Sequence, residues 1–262
     1  MDGKCFTIYR NGLLHETLWS QNCQKGTGTY IFPNGLSIKG NIYREFAKGE
    51  ADYPSGKYTG EFVYGKRHGK GKFNYESGDI YIGDFRNDCI TGKGIHFYGN
   101  GEKYVGRFKN GAMTGRGYKK FKNEDFYSGH FQDGQPHGLG KFRNHKKQFT
   151  FVGEFTNGKQ VGRGKLFWEN GETMTGEEWK DFKCTGNSLI EYSNGATLFA
   201  EFRNGVAVGA GTYADNEGNS YRVDWVPDKR SAKVQDAYLL YTDGHGTDHR
   251  SAITFDGHSL SF

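Results

Sequence analysis

Proline is scarce in this chain, with 4 residues in 262, and cysteine is equally so. Few prolines exclude a collagen helix or a proline-rich linker. The four cysteines, Cys5, Cys23, Cys89 and Cys184, are scattered and form no CxxC pair. They indicate no disulfide framework, and a reduced intracellular compartment is expected. No apolar run approaches the roughly 18 residues of a spanning helix. Long Val/Ile/Leu runs are missing too, which argues against the buried parallel strands of a three-layer α/β domain. The opening MDGKCFTIYRNG has no apolar stretch, and residue 2 is Asp2, so neither a signal peptide nor N-myristoylation is expected. The net charge of +5 is mild. It permits an anionic partner without requiring one.

What the chain has in excess is glycine and aromatics. Glycine supplies 41 residues, about twice its usual share. Aromatics make up 16% while all hydrophobics together reach 34%. Both excesses come from one repeat. Its first glycines are Gly3, Gly26, Gly49, Gly69, Gly92, Gly115, Gly138, Gly162, Gly186 and Gly209, mostly 23 residues apart. The unit at Gly49 is three residues short, because its turn at Gly56 comes early. In the first unit Cys5 and Thr17 stand where later units have glycine, as befits a terminal copy.

Each unit reads as a β-hairpin. A first arm such as GKGIHFY runs into a turn that is often Asn-Gly, as at Asn34-Gly35, Asn100-Gly101 and Asn170-Gly171. That pair is a strong hairpin signal. The second arm is YxGxF, as in Tyr81/Gly83/Phe85 and Tyr104/Gly106/Phe108. Alternation with period two puts the rings and the glycine on one face of a strand. Bare glycine backbone, including both Gly92 and Gly94, is expected to lie beneath these rings, where a side chain would prevent the approach. The rings are then expected to pave a concave groove: Phe62, Phe85, Phe108, Phe131, Phe155, Trp179, Phe202 and Trp225 in one row, and Tyr58, Tyr81, Tyr104, Tyr127, Phe151, Met174, Leu198 and Tyr221 in the next.

The pattern YxGxF-x2-G-x3-GxG at a 23-residue step resembles the MORN repeat (membrane occupation and recognition nexus). The resemblance implies an all-β fold: an elongated, twisted, single-layer antiparallel sheet of about ten tandem hairpins over residues 1–225. Residues 226–262 would form a short C-terminal segment that caps the last sheet edge or dimerises through it. The resemblance also implies a non-catalytic scaffold, cytoplasmic and cytoskeletal or ciliary, often dimeric. A protein partner, as an extended or helical segment, would lie in the aromatic groove on Tyr81, Phe85, Tyr104, Phe108, Tyr127, Phe131, Phe151 and Phe155. No enzyme, cofactor or metal is implied.

Charges give the alternative. Lys70, Lys72, Lys93, Arg116, Lys141, Arg163 and Lys165 on first arms, with Glu61, Asp84, Glu154, Glu177, Glu201 and Asp224 on second arms, read as cross-strand pairs. Lys119, Lys120, Lys122, Arg143, Lys146 and Lys147 gather at hairpin ends and could meet anionic membrane lipid. Nucleic acid is not expected, since the net charge is small and no basic groove interleaves with the rings. The dense spot Asp243–His249 reads as a polar glycine turn rather than a metal site. In the tail, residues 231–241 read as a short helix or a strand, and residues 253–262 as a hairpin about Asp256-Gly257.

Overall fold

The computed structural model describes residues 3–20, 23–43, 46–226, 235–242, 248–255 and 260–261, with side chains for 4–17, 27–42 and 46–224. The protein is all-β, with no helix among the described residues. Its strands form an open antiparallel sheet in hairpin-like succession. The chain divides into two compact units, Met1–Asn123 with Phe131–Gly134, and Glu124–His130 with Gln135–Phe262.

One stretch of the first unit shows the plan. Strand Ile80–Arg86 pairs with Cys89–Phe97, which pairs with Lys103–Lys109, which pairs with Ala112–Lys120. The register aligns the glycines. Gly83 faces Gly94, and Gly94 faces Gly106, which faces Gly117.

The two turns of a repeat are built differently. Between the arms, Tyr98 N–H donates to Glu102 O (3.0 Å) and Gly101 N–H to Tyr98 O (2.9 Å). Only Gly101 is left-handed there, with φ +91°. Asn100 instead accepts the Glu102 N–H on its side chain at 3.0 Å. Between repeats, both central residues are left-handed, as at Asn110 and Gly111 (φ +50° and +82°). That is a two-residue turn whose twist suits a hairpin. Phe182 occupies such a position at φ +59°, which a bulky residue rarely adopts. Its ring stacks on Phe142 at 4.8 Å and meets Phe149 at 5.1 Å, contacts that offset the strain.

The two glycines of each GxG do different jobs, which corrects the expectation that both lie under rings. Gly92 is left-handed at φ +59°, and the register jumps there: Gly83 faces Gly94, yet Asp84 faces Thr91. Gly92 therefore belongs to a β-bulge, where glycine supplies the backbone freedom. Gly94 lies under the ring. The short unit at Gly49 also has a structural cause. Tyr53 pairs with Gly56, so a two-residue turn replaces the longer loop.

The tail continues the sheet. Strand Gln235–Thr242 pairs with Ser220–Val226, aligning Ala237 with Trp225. The helical alternative for residues 231–241 thus fails over 235–241, and 231–234 lie outside the described residues. The reason is the backbone groups of the preceding strand, which need a partner at the sheet edge. Strands Asp248–Phe255 and Leu260–Ser261 pair as the expected hairpin, through Thr254·Ser261 and Phe255·Leu260. Its turn at Asp256-Gly257, Pro227 and most of Asp243–His249 lie outside the described residues.

Candidate functional site

The sheet has a ring side and an open side. On the ring side each tyrosine lies over a glycine pair. A Cβ at Gly94, Gly106 or Gly117 would fall within 3.0 Å of a tyrosine ring. The hydroxyl reaches past the glycine to a backbone carbonyl: Tyr81 donates to Asp84 O (3.2 Å) and Thr91 O (3.4 Å), Tyr104 to Arg107 O (3.1 Å), and Tyr127 to His130 O (3.0 Å). In the first unit, Tyr81 and Tyr104 each also meet two phenylalanines edge-on. Tyr81 contacts Phe85 and Phe108, both at 5.2 Å, and Tyr104 contacts Phe108 at 5.1 Å and Phe131 at 5.0 Å. In the second unit Tyr127 meets Phe155 at 5.0 Å, and Phe151 meets Phe155 at 5.7 Å.

This zigzag is the core of the protein. Tyr81, Tyr104 and Phe151 are 0% exposed, and Phe85, Phe108, Tyr127, Phe131 and Phe155 are buried. The aromatic groove expected from the sequence is therefore not an open surface. Its eight rings are covered by one another and by glycine backbone. Burial pushes the phenols up, Tyr104 and Tyr127 to about 12 and Tyr58 and Tyr81 further still.

Where the tyrosine is replaced, a neighbour fills in. At Phe151 no hydroxyl is present, and Trp179 Nε1–H donates to Gly164 O and Gly176 O, both at 3.2 Å. At Met174 the second glycine is also lost. Gly176 faces Ser188, and Cys184 Sγ lies 2.9 Å from Ser188 Oγ in the space above.

The basic cluster is spread over both units. In the first, Lys119 bridges Glu102 at 3.0 Å and sits over the rings of Tyr98 and Phe121. Lys120 is half-buried and Lys122 exposed. In the second, Arg143 pairs with Glu169. Lys146 and Lys147 are exposed. Lys119 and Arg143 are thus already engaged with carboxylates.

The open side of the first unit carries a groove of about 940 Å³. Glycine backbone forms its floor, at Gly49, Gly60, Gly71, Gly83, Gly94 and Gly106. The residues before and after each glycine make two parallel rows. One is a cross-strand ladder, Thr59·Lys72·Ile82·Ile95·Val105·Tyr118. Ile82 is 43% exposed and Val105 36%. The other row is cationic, with Lys48, Lys70, Lys93, Arg107 and Arg116 lining the groove against the single carboxylate Glu61. Lys70 bridges Asp84. Desolvation pushes the Asp84 carboxyl up, but Lys70 and the Lys93 N–H outweigh it and hold it below its ordinary range.

The expected charge pairing holds less widely than the sequence suggested. Lys70–Asp84 closes as expected. Lys165 turns instead to Glu191 at 2.7 Å, Arg203 and Arg222 meet carboxylates on their own strands, and Glu154 faces Leu139 and Val161. The second-arm position that is Asp84 in one repeat is Arg107 in the next. Sequence reasoning passed over both that exchange and the run Ile82, Ile95, Val105. The exchange was visible as a missing acid in the repeat. The run needed the register.

The model of the MORN repeat family matches seven segments, at residues 19–37, 58–80, 81–103, 104–126, 127–144, 151–173 and 200–220. Together they cover more than half of the chain. The chain belongs to the MORN repeat family. The gaps in the match coincide with departures from the ring pattern, at Ile38 and Ile42 and at Met174 and Ser188, yet the hairpins continue through both. No curated protein matches the chain. MORN repeats are in general non-enzymatic modules that bind protein or lipid. The chain is accordingly a MORN repeat scaffold of the binding kind. Among the described residues no group of His, Cys, Asp and Glu could hold a metal ion.

Proposed function

We propose that this MORN repeat protein is a non-catalytic scaffold that holds a segment of a protein partner against the open side of its first unit. The groove of about 940 Å³ with the exposed Ile82 and Val105 carries this reading. Exposed aliphatic residues in a contiguous, concave strip mark interaction surfaces. The ring side at Tyr81 to Phe155, by contrast, is filled, so a partner on those rings would have to break the core. A cytoplasmic, cytoskeletal or ciliary setting is part of the proposal and rests on the family resemblance alone.

Photo-crosslinking tests it. A photoreactive residue at Val105 is expected to capture a discrete protein in cells. The same residue at Tyr64, an exposed turn position of the same unit, is expected not to. Equal capture at both positions would sink the proposal.

Binding of anionic lipid is the second reading. It is favoured by the exposed Lys122 in the first unit and the exposed Lys146 and Lys147 in the second, none of which forms a salt bridge among the described residues. Such binding fades as salt is raised. Vesicles of phosphatidylserine that bind at low salt, and fail to bind when these lysines become Glu, would assign the function there.

A further inference from the structure

The groove on the open side is not charge-balanced, and the imbalance begins at one repeat. In the repeat before it, Lys70 faces Asp84 in the register and bridges it. One repeat later Lys93 faces Arg107 instead. Like charges directly opposite one another destabilise a ladder. On its other side Arg107 faces Thr114, and Arg116 follows on that strand. Lys93, Arg107 and Arg116 are all exposed, and none forms a salt bridge among the described residues.

The same strands carry the aliphatic run. Ile82 faces Ile95, which faces Val105, whereas the ladder before them is polar at Thr59 and Lys72. The two rows lie two residues apart along each strand, about 7 Å. A cationic strip and an aliphatic strip therefore run side by side over the same repeats.

We infer that this stretch recognises an acidic, amphipathic segment of a protein partner. Its aliphatic side chains rest on Ile82, Ile95 and Val105, and its carboxylates meet Lys93, Arg107 and Arg116. The inference rests on the scaffold reading above and adds the partner's chemistry and position. Charge complementarity carries it: a carboxylate from the partner does for Lys93 and Arg107 what Asp84 does for Lys70. The aliphatic row separates this partner from a bare polyanion, and the cations separate it from a wholly apolar one.

The probe is a short peptide selected from a displayed random library panned on the full chain. Enriched sequences are expected to combine Asp or Glu with Leu, Ile or Val. Enrichment of basic or uncharged sequences, or no enrichment, overturns the inference. The best peptide is then titrated by fluorescence anisotropy against Arg107→Asp and against Ile82→Ser with Val105→Ser. Arg107→Asp installs the acid that the preceding repeat carries, so the melting temperature is expected to hold or rise. Affinity is expected to fall about tenfold or more, the scale of one charge-assisted contact, and the loss is expected to shrink at high salt. If the aliphatic double change abolishes binding while Arg107→Asp does not, the groove stands and the acidic partner falls. If neither alters binding, both readings fall. Phosphatidylserine vesicles that bind the chain and are released by Arg107→Asp, with no acidic peptide enriched, assign the strip to lipid and overturn the inference. Should Arg107→Asp lower the melting temperature, Arg107→Gln replaces it in every comparison.

Discussion

Replacing Gly106 by alanine tests how the fold is held. The new methyl would lie within 3.0 Å of the Tyr104 ring and of Gly117 Cα. The ring has nowhere to go. It is 0% exposed, donates to Arg107 O at 3.1 Å and meets Phe108 and Phe131 edge-on. Overpacking costs about 1–3 kcal/mol. A displaced ring also forfeits a hydrogen bond, about 1 kcal/mol, and weakens two aromatic contacts of about 0.5–1.5 kcal/mol each. The expected loss is about 3–5 kcal/mol. Gly111→Ala is the control. Gly111 is left-handed at φ +82° with nothing within 4 Å of the added Cβ, so only backbone strain of about 1–2 kcal/mol applies. Urea and thermal unfolding, followed by circular dichroism, rank the two. Coupling gives a second check: after Tyr104→Ala, the further change Gly106→Ala should cost much less than it does alone. If Gly106→Ala proves no worse than Gly111→Ala, the ring-on-glycine account of the fold is wrong.

Alkali should unfold the protein through its phenols. Unfolded tyrosines ionise near pH 10, while Tyr104 and Tyr127 hold their protons to about 12. Their contribution to stability is present below about pH 10 and is lost as pH rises towards 12. An ultraviolet difference titration in which every tyrosine ionises near pH 10 with the sheet intact would contradict this. Cys184 is buried and desolvation pushes its thiol up, against the hydrogen bond with Ser188. A thiol reagent is expected to modify the exposed Cys5 and Cys89 in the native protein and Cys184 only on unfolding, as peptide mass mapping would show. Trp179→Phe removes the N–H that Gly164 O and Gly176 O share. It is expected to cost about 1–3 kcal/mol in urea unfolding, and a neutral outcome would remove the role assigned to that indole.

The hairpins were legible because their signals are local. The 23-residue step, the Asn-Gly turns and the alternation of YxGxF each act within one unit. The ring-on-glycine contact was legible for the same reason, since Tyr104 and Gly106 are two residues apart. What escaped was set by register. The bulge at Gly92 appears only when Gly83·Gly94 is followed by Asp84·Thr91. Burial of the rings depends on Tyr81 meeting Phe108 of the following repeat, and alternation within one strand does not report that. A face rich in aromatics looked like a groove, whereas a sheet that covers its own rings turns it into a core. The open-side groove was missed because Ile82, Ile95 and Val105 are 10 to 13 residues apart in sequence and adjacent only in the ladder.

The two sides of the sheet obey different constraints. On the ring side a change at one position is answered at another. Phe151 lacks the tyrosine hydroxyl, and the Trp179 indole packs edge-on against its ring at 5.2 Å and donates to Gly164 O and Gly176 O. Met174 and Ser188 break the ring and glycine pattern, and Cys184 occupies the vacated space. Such exchanges preserve close packing, which tolerates neither voids nor overlap. On the open side of the first unit no such answer is seen at Arg107 among the described residues. The ladder passes from Thr59 through Lys72 to Ile82, Ile95 and Val105, and Asp84 gives way to Arg107 without a compensating acid across from it. Surface positions carry little packing cost, so their composition is free to follow a partner. A like-charged pair, Lys93 and Arg107, placed beside the longest aliphatic run of that ladder, is what such freedom yields when the partner is both acidic and apolar.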